Sequence, residues 1–200
     1  VKNQAVFSHK ADKYFKTLYA ITEEFKSSET SSKAWLMIAT QLINDAEKYP
    51  SSKDSKQPFK YAEAKKIIEY SLQTYSAKQY AYDDLNYLLK RILKPSIQVE
   101  AEKMNTPDKP FRVYMKFKNV DTVYCRILDA TKNPDLNERY PNKDIIATAC
   151  SVTPLQSSFQ ALPSLGDYQE HSIELKMEGL PAGNYILLSS SDKEFRSASY

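Results

Sequence analysis

The chain has 200 residues, with 28 Lys+Arg against 25 Asp+Glu and a formal charge of +3. That length fits one large domain or two small ones, and so even a balance of charge argues against a nucleic-acid-binding surface. No apolar run approaches the ~20 residues of a membrane-spanning helix. Three glycines in the whole chain leave almost nothing from which to build a phosphate-cradling loop.

The N-terminus, "VKNQAVFSHKADKYF", has no apolar segment of the kind a signal peptide needs and no initiator Met. The expectation is a processed piece of something longer. From there to Pro95 the apolar residues recur at helical spacing. A loose stripe of Ala11, Tyr14, Phe15, Leu18, Thr22 and Phe25 predicts a helix over 10–27. In "SKAWLMIATQLINDAEKY", Trp35, Ile38, Ala39, Leu42, Ile43 and Ala46 form one face of a second helix over 32–49. Ser31 or Ser32 is placed to cap its start and Pro50 to end it. Ala64, Ile67, Ile68, Ser71, Leu72 and Tyr75 predict a third helix over 58–75. Ala81, Leu85, Leu88, Leu89 and Ile92 predict a fourth over 77–93, with Ser76 and Gln79 at capping-box spacing. Short amphipathic helices in series suggest antiparallel hairpins. The stretch "YAEAKKIIEYSLQTYSAKQYAYDDLNYLLKRI" resembles the end of a tetratricopeptide array. It has no clean period of about 34 residues, so a plain helical bundle fits the same pattern.

Past Pro95 the period changes to two. "SIQVEAEK", "FRVYMKF", "TVYCRILDA" and "HSIELKME" each set an apolar face against a polar one, as half-buried strands do. "DIIATACSV" and "NYILLSSS" read as two more strands. "NTPDKP", "KNVD" and "EGLPAGN" are the turns between them. Six or seven strands with no helix among them predict an antiparallel β-sandwich. The fold class expected is therefore α+β in two domains, helical over 1–94 and a sandwich over 95–200. In "GLPAGNY", Pro181 presets φ and Gly179 and Gly183 supply positive φ at a hairpin corner, with Tyr185 tucked beneath it. "TKNPDLNERYPNKD" (131–144) and "TPLQSSFQALPSLGDY" (153–168) read as polar crossovers, the second with Phe159, Leu162 and Leu165 as anchors.

Little in the sequence points to catalysis. His9 and His171 lie in no metal-binding or triad pattern. Asp83 and Asp84, like Glu23 and Glu24, are neighbours in a helix and so diverge. No catalytic, cofactor-binding or metal-binding residue is expected, and no cofactor. Cys125 and Cys150 permit one disulfide without demanding it. Tyr75, Tyr80, Tyr82 and Tyr87 fall at several helical angles, which suits helix packing better than one binding face. A tyrosine-lined concave surface that grips a peptide is the other reading.

The order "NTPDKPFRVYMKFKNVDTVYCRIL" then "DYQEHSIELKMEGLPAGNYILLSSS" resembles the macroglobulin-type β-sandwich of bacterial α2-macroglobulin-family proteins, particularly the large ones of Bacteroidetes. The likeness covers about 95–200 well and 58–94 loosely. The turn set by Pro107 and Pro110 opens a strand, and the corner Gly179, Pro181, Gly183, Tyr185 follows near the end. Asp108 stands where that family commonly has glycine. The resemblance implies a non-catalytic structural module of a broad-range protease inhibitor of the cell envelope, exported to the periplasm or associated with the outer membrane. Its partners would be proteases, through the parent protein, and neighbouring macroglobulin domains; neither nucleic acid nor a small-molecule substrate is implied. The family's reactive thioester uses a Cys-x-Glu-Gln motif. Neither "YCRIL" nor "ACSVT" provides one, so this piece would do no chemistry itself. The alternatives are a peptide- or protein-binding module with the sandwich as spacer, and a sugar-binding or adhesin sandwich.

Overall fold

The computed structural model describes residues 2–48, 59–75, 80–136 and 143–196. The chain folds as two compact units, one of residues 1–94 with 166–169, the other of 95–165 with 170–200.

Among the described residues the first unit holds four helices: α1 Lys2–Glu24, α2 Ser31–Lys48, α3 Lys60–Thr74 and α4 Tyr82–Leu93. Each packs on the next, and α4 also reaches α2. The α2 stripe is the centre of the core, with Ile38, Ala39 and Ala46 fully buried. Leu18, Ala64, Ile68, Leu85 and Ile92 close on it from the other helices. The α1 stripe is narrower than expected. Leu18 and Thr22 are buried, but Tyr14 and Phe25 are 44% and 50% exposed. α1 also starts upstream of residue 10, since nothing between Lys2 and Lys10 breaks a helix.

Ser31 and Ser32 do not cap α2 in the expected way. Their hydroxyls donate backwards, Ser31 Oγ to Phe25 O at 2.7 Å and Ser32 Oγ to Glu29 O at 2.7 Å. The first N–H groups of α2 are met instead by backbone carbonyls of the preceding turn, Ser31 N to Ser28 O and Ser32 N to Glu29 O. The expected roles of Pro50, Ser76 and Gln79 fall outside the described residues. In α4, Asp83 and Asp84 sit in the first turn and Lys90 and Arg91 in the last, as the helix dipole favours. Gln169 belongs to this unit, and its Nε2 donates to Ala46 O at 3.2 Å, satisfying a carbonyl in the last turn of α2.

The described residues of the second unit form six strands in two antiparallel sheets. β1 Ser96–Ala101, β2 Phe111–Lys118 and β5 His171–Met177 form one sheet in the order β1-β2-β5. β4 Gln156–Ala161, β3 Thr122–Asp129 and β6 Tyr185–Ser190 form the other in the order β4-β3-β6. Their facing sides share one core, in which Val113, Met115, Phe117 and Leu175 of the first sheet meet Val123, Cys125 and Ile127 of the second. The alternation in the sequence sets those faces.

Three expectations fail here. "DIIATACSV" is not a strand: Lys143–Ser151 is a helix, α5, so a helix does stand among the strands. Neither alternate set of its residues is polar, and the outer face of the β4-β3-β6 sheet carries Leu128 and Leu188, which need cover. Ala149, Cys150 and Val152 supply it, with Leu136 and Phe195, in a second small core. The segment 153–168 is not all crossover, because Gln156–Ala161 is β4, an edge strand whose polar side chains hide the usual alternation. Of its expected anchors, Leu162 is 7% exposed and joins the core, but Phe159 and Leu165 are 73% and 56% exposed. Finally, β5 and β6 are not a hairpin. β5 pairs with β2 and β6 with β3, so "GLPAGN" carries the chain from one sheet to the other.

Candidate functional site

Several hydrogen bonds tie the corner that connects the sheets. Tyr185, the first residue of β6, folds back and its Oη donates to Pro181 O at 3.0 Å. Gly183 lies beneath the ring: a β-carbon there would stand 2.9 Å from Tyr185 Oη and 3.1 Å from Cζ. Gly179 abuts the turn before β2, where a β-carbon would lie 2.6 Å from Asp108 C and 2.8 Å from Lys109 N. Gly179 is therefore required by close approach to backbone, while at Gly183 a β-carbon would push the tip of the Tyr185 ring. Positive φ does not explain them, because the glycine that adopts it is Gly166, at 67°.

The positive φ at this corner belongs to Asp108, at 58°. Aspartate enters the left-handed region more readily than most side chains. Asp108 N then donates to Leu180 O at 2.8 Å, joining the Pro107–Pro110 turn to the corner. A third segment closes the arrangement. Asn184 N donates to Thr131 Oγ1 at 2.9 Å, and Ala130 N to Asn184 O at 2.9 Å. Asp129 Oδ1 orients that segment by accepting from Thr131 N at 3.0 Å and Lys132 N at 3.1 Å. Desolvation pushes the Asp129 carboxyl up. The Lys132 and Thr131 N–H groups and the Lys132 ammonium outweigh it and hold the group below its ordinary range.

Pro107, Pro181, Gly183 and Tyr185 line one hollow of ≈ 710 Å³ with Phe111 and Leu187. Gly179, which abuts Asp108, and Pro110, just before β2, stand outside the lining. Asp129, Thr131 and Asn184 did not emerge from the sequence as part of this corner. The signal was present in "DATKN", since an aspartate two residues before a threonine is a turn former through its own carboxylate.

The residues weighed for chemistry belong to different elements. His171 opens β5 with its ring 5.9 Å from that of Phe117. Asp83 and Asp84 belong to α4, and Glu23 pairs with Lys26 at 2.5 Å. The side chain of His9 is outside the described residues. Cys125 and Cys150 are free thiols on opposite faces of the β4-β3-β6 sheet, Cys125 in the shared core and Cys150 in the outer cover. Burial pushes the Cys125 thiol up to about 11. Among the described residues no group of three or more His, Cys, Asp and Glu could hold a metal ion. No described helix is long and apolar enough to cross a membrane.

In the helical unit the tyrosines divide by angle. Tyr75 is 7% exposed, Tyr80 71% and Tyr87 66%. A different aromatic group is assembled from three helices. Trp35 of α2 meets Tyr19 of α1 edge-on at 6.1 Å and Tyr70 of α3 at 5.4 Å. Its indole Nε1 is buried with no hydrogen-bond partner. Comparison with protein-family models, with curated proteins and with solved structures finds no match to this chain.

Proposed function

We propose that this chain is a non-catalytic structural module of a macroglobulin-like protease inhibitor, exported to the periplasm or outer membrane of a bacterium. The observation that carries the reading is the tyrosine corner, Tyr185 Oη to Pro181 O, at the start of the sixth strand of a two-sheet sandwich. Such a corner marks the sixth strand of immunoglobulin-like sandwiches, where it locks the passage between sheets. In the macroglobulin reading it keeps the domain rigid while the rest of the inhibitor rearranges around a protease. The helical unit is then the segment that leads into the sandwich, and neighbouring macroglobulin domains are its partners.

Trapping has a signature that simple inhibition lacks. A protease enclosed by a cage loses access to large substrates but keeps its active site. The parent protein is therefore expected to abolish cleavage of casein by trypsin and leave cleavage of a small chromogenic peptide intact. Residues 1–200 alone are expected to change neither rate.

A second reading, a peptide-binding helical module, draws on the Tyr19–Trp35–Tyr70 cluster and the unpartnered indole N–H. Trp35 is the chain's one tryptophan, so its fluorescence reports this site. A shift of its emission on titration with extended peptides would favour this reading over the structural one.

A further inference from the structure

The outer face of the β4-β3-β6 sheet carries a cleft of ≈ 520 Å³ beside β4. Along β3, Tyr124 and Arg126 point to this face while Cys125 turns into the shared core. Across the ladder Tyr124 pairs with Phe159 and Arg126 with Ser157, so the four side chains form a two-by-two patch. The Tyr124 and Phe159 rings lie 6.3 Å apart, and Phe159 is 73% exposed. The chain after β6 closes the far side. Phe195 is 5% exposed, and the Arg126 guanidinium lies 4.0 Å from its ring centroid. Lys193 stands at the rim.

Two cations, Arg126 and Lys193, line this cleft. The acids of the same segment are engaged by Arg196, whose Nε lies 3.7 Å from Asp192 and whose Nη2 lies 3.1 Å from Glu194. Among the described residues neither Arg126 nor Lys193 has an ion-pair partner. The half-buried Arg126 guanidinium is held over the Phe195 ring by a cation–π contact. A guanidinium so held presents a planar fork of N–H donors, which matches a carboxylate in two parallel hydrogen bonds. Next to the fork stands an aromatic wall with an exposed ring. The volume is in the range of small-ligand sites.

We propose that this cleft binds a carboxylate carried on an apolar body, with Arg126 taking the carboxylate, Lys193 adding charge at the rim, and Tyr124 and Phe159 covering the apolar part. A free aromatic acid and the C-terminal residue of a peptide share that chemistry. The site does not depend on a protease-trap parent.

The test uses the 200-residue chain with three probes: 3-phenylpropionate, the peptide acetyl-Gly-Gly-Gly-Phe with a free carboxylate, and the same peptide as its C-terminal amide. Binding is followed by amide chemical shifts in NMR and by calorimetry. The acids are expected to shift residues 124–126, 157–159 and 193–195, and the amide to bind at least about tenfold more weakly. Tighter binding of the peptide acid than of phenylpropionate assigns the site to chain termini, and equal binding assigns it to free acids. Arg126→Gln should weaken the acids about tenfold or more and leave the amide unchanged, with Arg126→Lys between the two. Phe159→Ser should weaken all three probes. If Arg126→Gln does not fold, Phe159→Ser and Lys193→Gln, both at exposed positions, carry the test. Equal affinity for acid and amide, shifts confined to other residues, or no binding by either acid at saturating concentration would each overturn the proposal.

Discussion

Gly183 sits so close beneath Tyr185 that a β-carbon on it would stand 2.9 Å from the phenolic oxygen. The same oxygen donates to Pro181 O at 3.0 Å. The glycine and the hydrogen bond are therefore one device. Tyr185→Phe should cost about 1 kcal/mol of stability, the usual worth of such a bond. Gly183→Ala should cost up to about as much, because the tip of the ring must shift and strain the bond. In the double variant the hydroxyl is gone from the point of nearest contact, so the two losses should fall short of their sum. Urea denaturation of the four proteins measures this coupling, and strict additivity would mean that the two residues act separately.

Asp108 occupies the left-handed region at φ 58°, where glycine rests without strain. Asp108→Gly should leave stability unchanged or raise it by up to about 1 kcal/mol. Asp108→Val should lower it by about 1 kcal/mol or more, since a β-branched side chain fits that region worst. Gly179→Ala pushes a methyl against the backbone of the same turn and should cost about 1–3 kcal/mol. Thermal midpoints of the three variants rank them. A destabilised Asp108→Gly would show that the aspartate side chain contributes more than its conformation costs.

The Asp129 carboxyl is held below its ordinary range by the Lys132 and Thr131 contacts, against the pull of desolvation. A group with a depressed folded pKa stabilises the fold above its unfolded pKa, and that contribution fades as pH falls through the folded value. Stability should therefore decline on acidification below about pH 4, where an unfolded aspartate begins to bind its proton. Asp129→Asn should lower the urea midpoint at pH 7 and converge with the parent protein toward pH 2. An equal difference at both pH values would rule the carboxylate charge out as the cause.

Cys125 is 3% exposed and its thiol is pushed up to about 11, whereas Cys150 is a half-buried residue of α5. Since the thiolate is the reactive form, Cys125 should resist alkylation at pH 8 in the native protein. Cys150 should react at least about tenfold faster. Peptide mapping after brief iodoacetamide treatment distinguishes the two, and both should react in denaturant. Rapid native labelling of Cys125 would show that the shared core opens.

What could be read from the sequence follows from how each element is buried. The α2 stripe and the alternation in β2, β3 and β5 were legible because each has one apolar face and one polar face. α5 was not, since "DIIATAC" is apolar at both periods and its helix is chosen by the Leu128–Leu188 surface that it covers. β4 was not, since an edge strand of "QSSFQA" has no apolar face to betray it. The corner was legible as residues but not as geometry. Gly179 and Gly183 invited a positive-φ explanation, and only their distances to Asp108 and Tyr185 reveal the steric one. Whether "GLPAGN" joined two strands of one sheet or passed between two was a question of tertiary packing, which local turn residues do not decide. The cleft around Arg126 was equally hidden, because Phe159, Arg126 and Phe195 meet only through the β3–β4 ladder and the return of the chain after β6.

The central proposal, a structural module of a protease trap, is tested most directly by assaying trypsin bound to the parent protein against two substrates in parallel. Loss of casein hydrolysis with retained hydrolysis of a small chromogenic peptide is the predicted result. Loss of both activities, or retention of both, would contradict it.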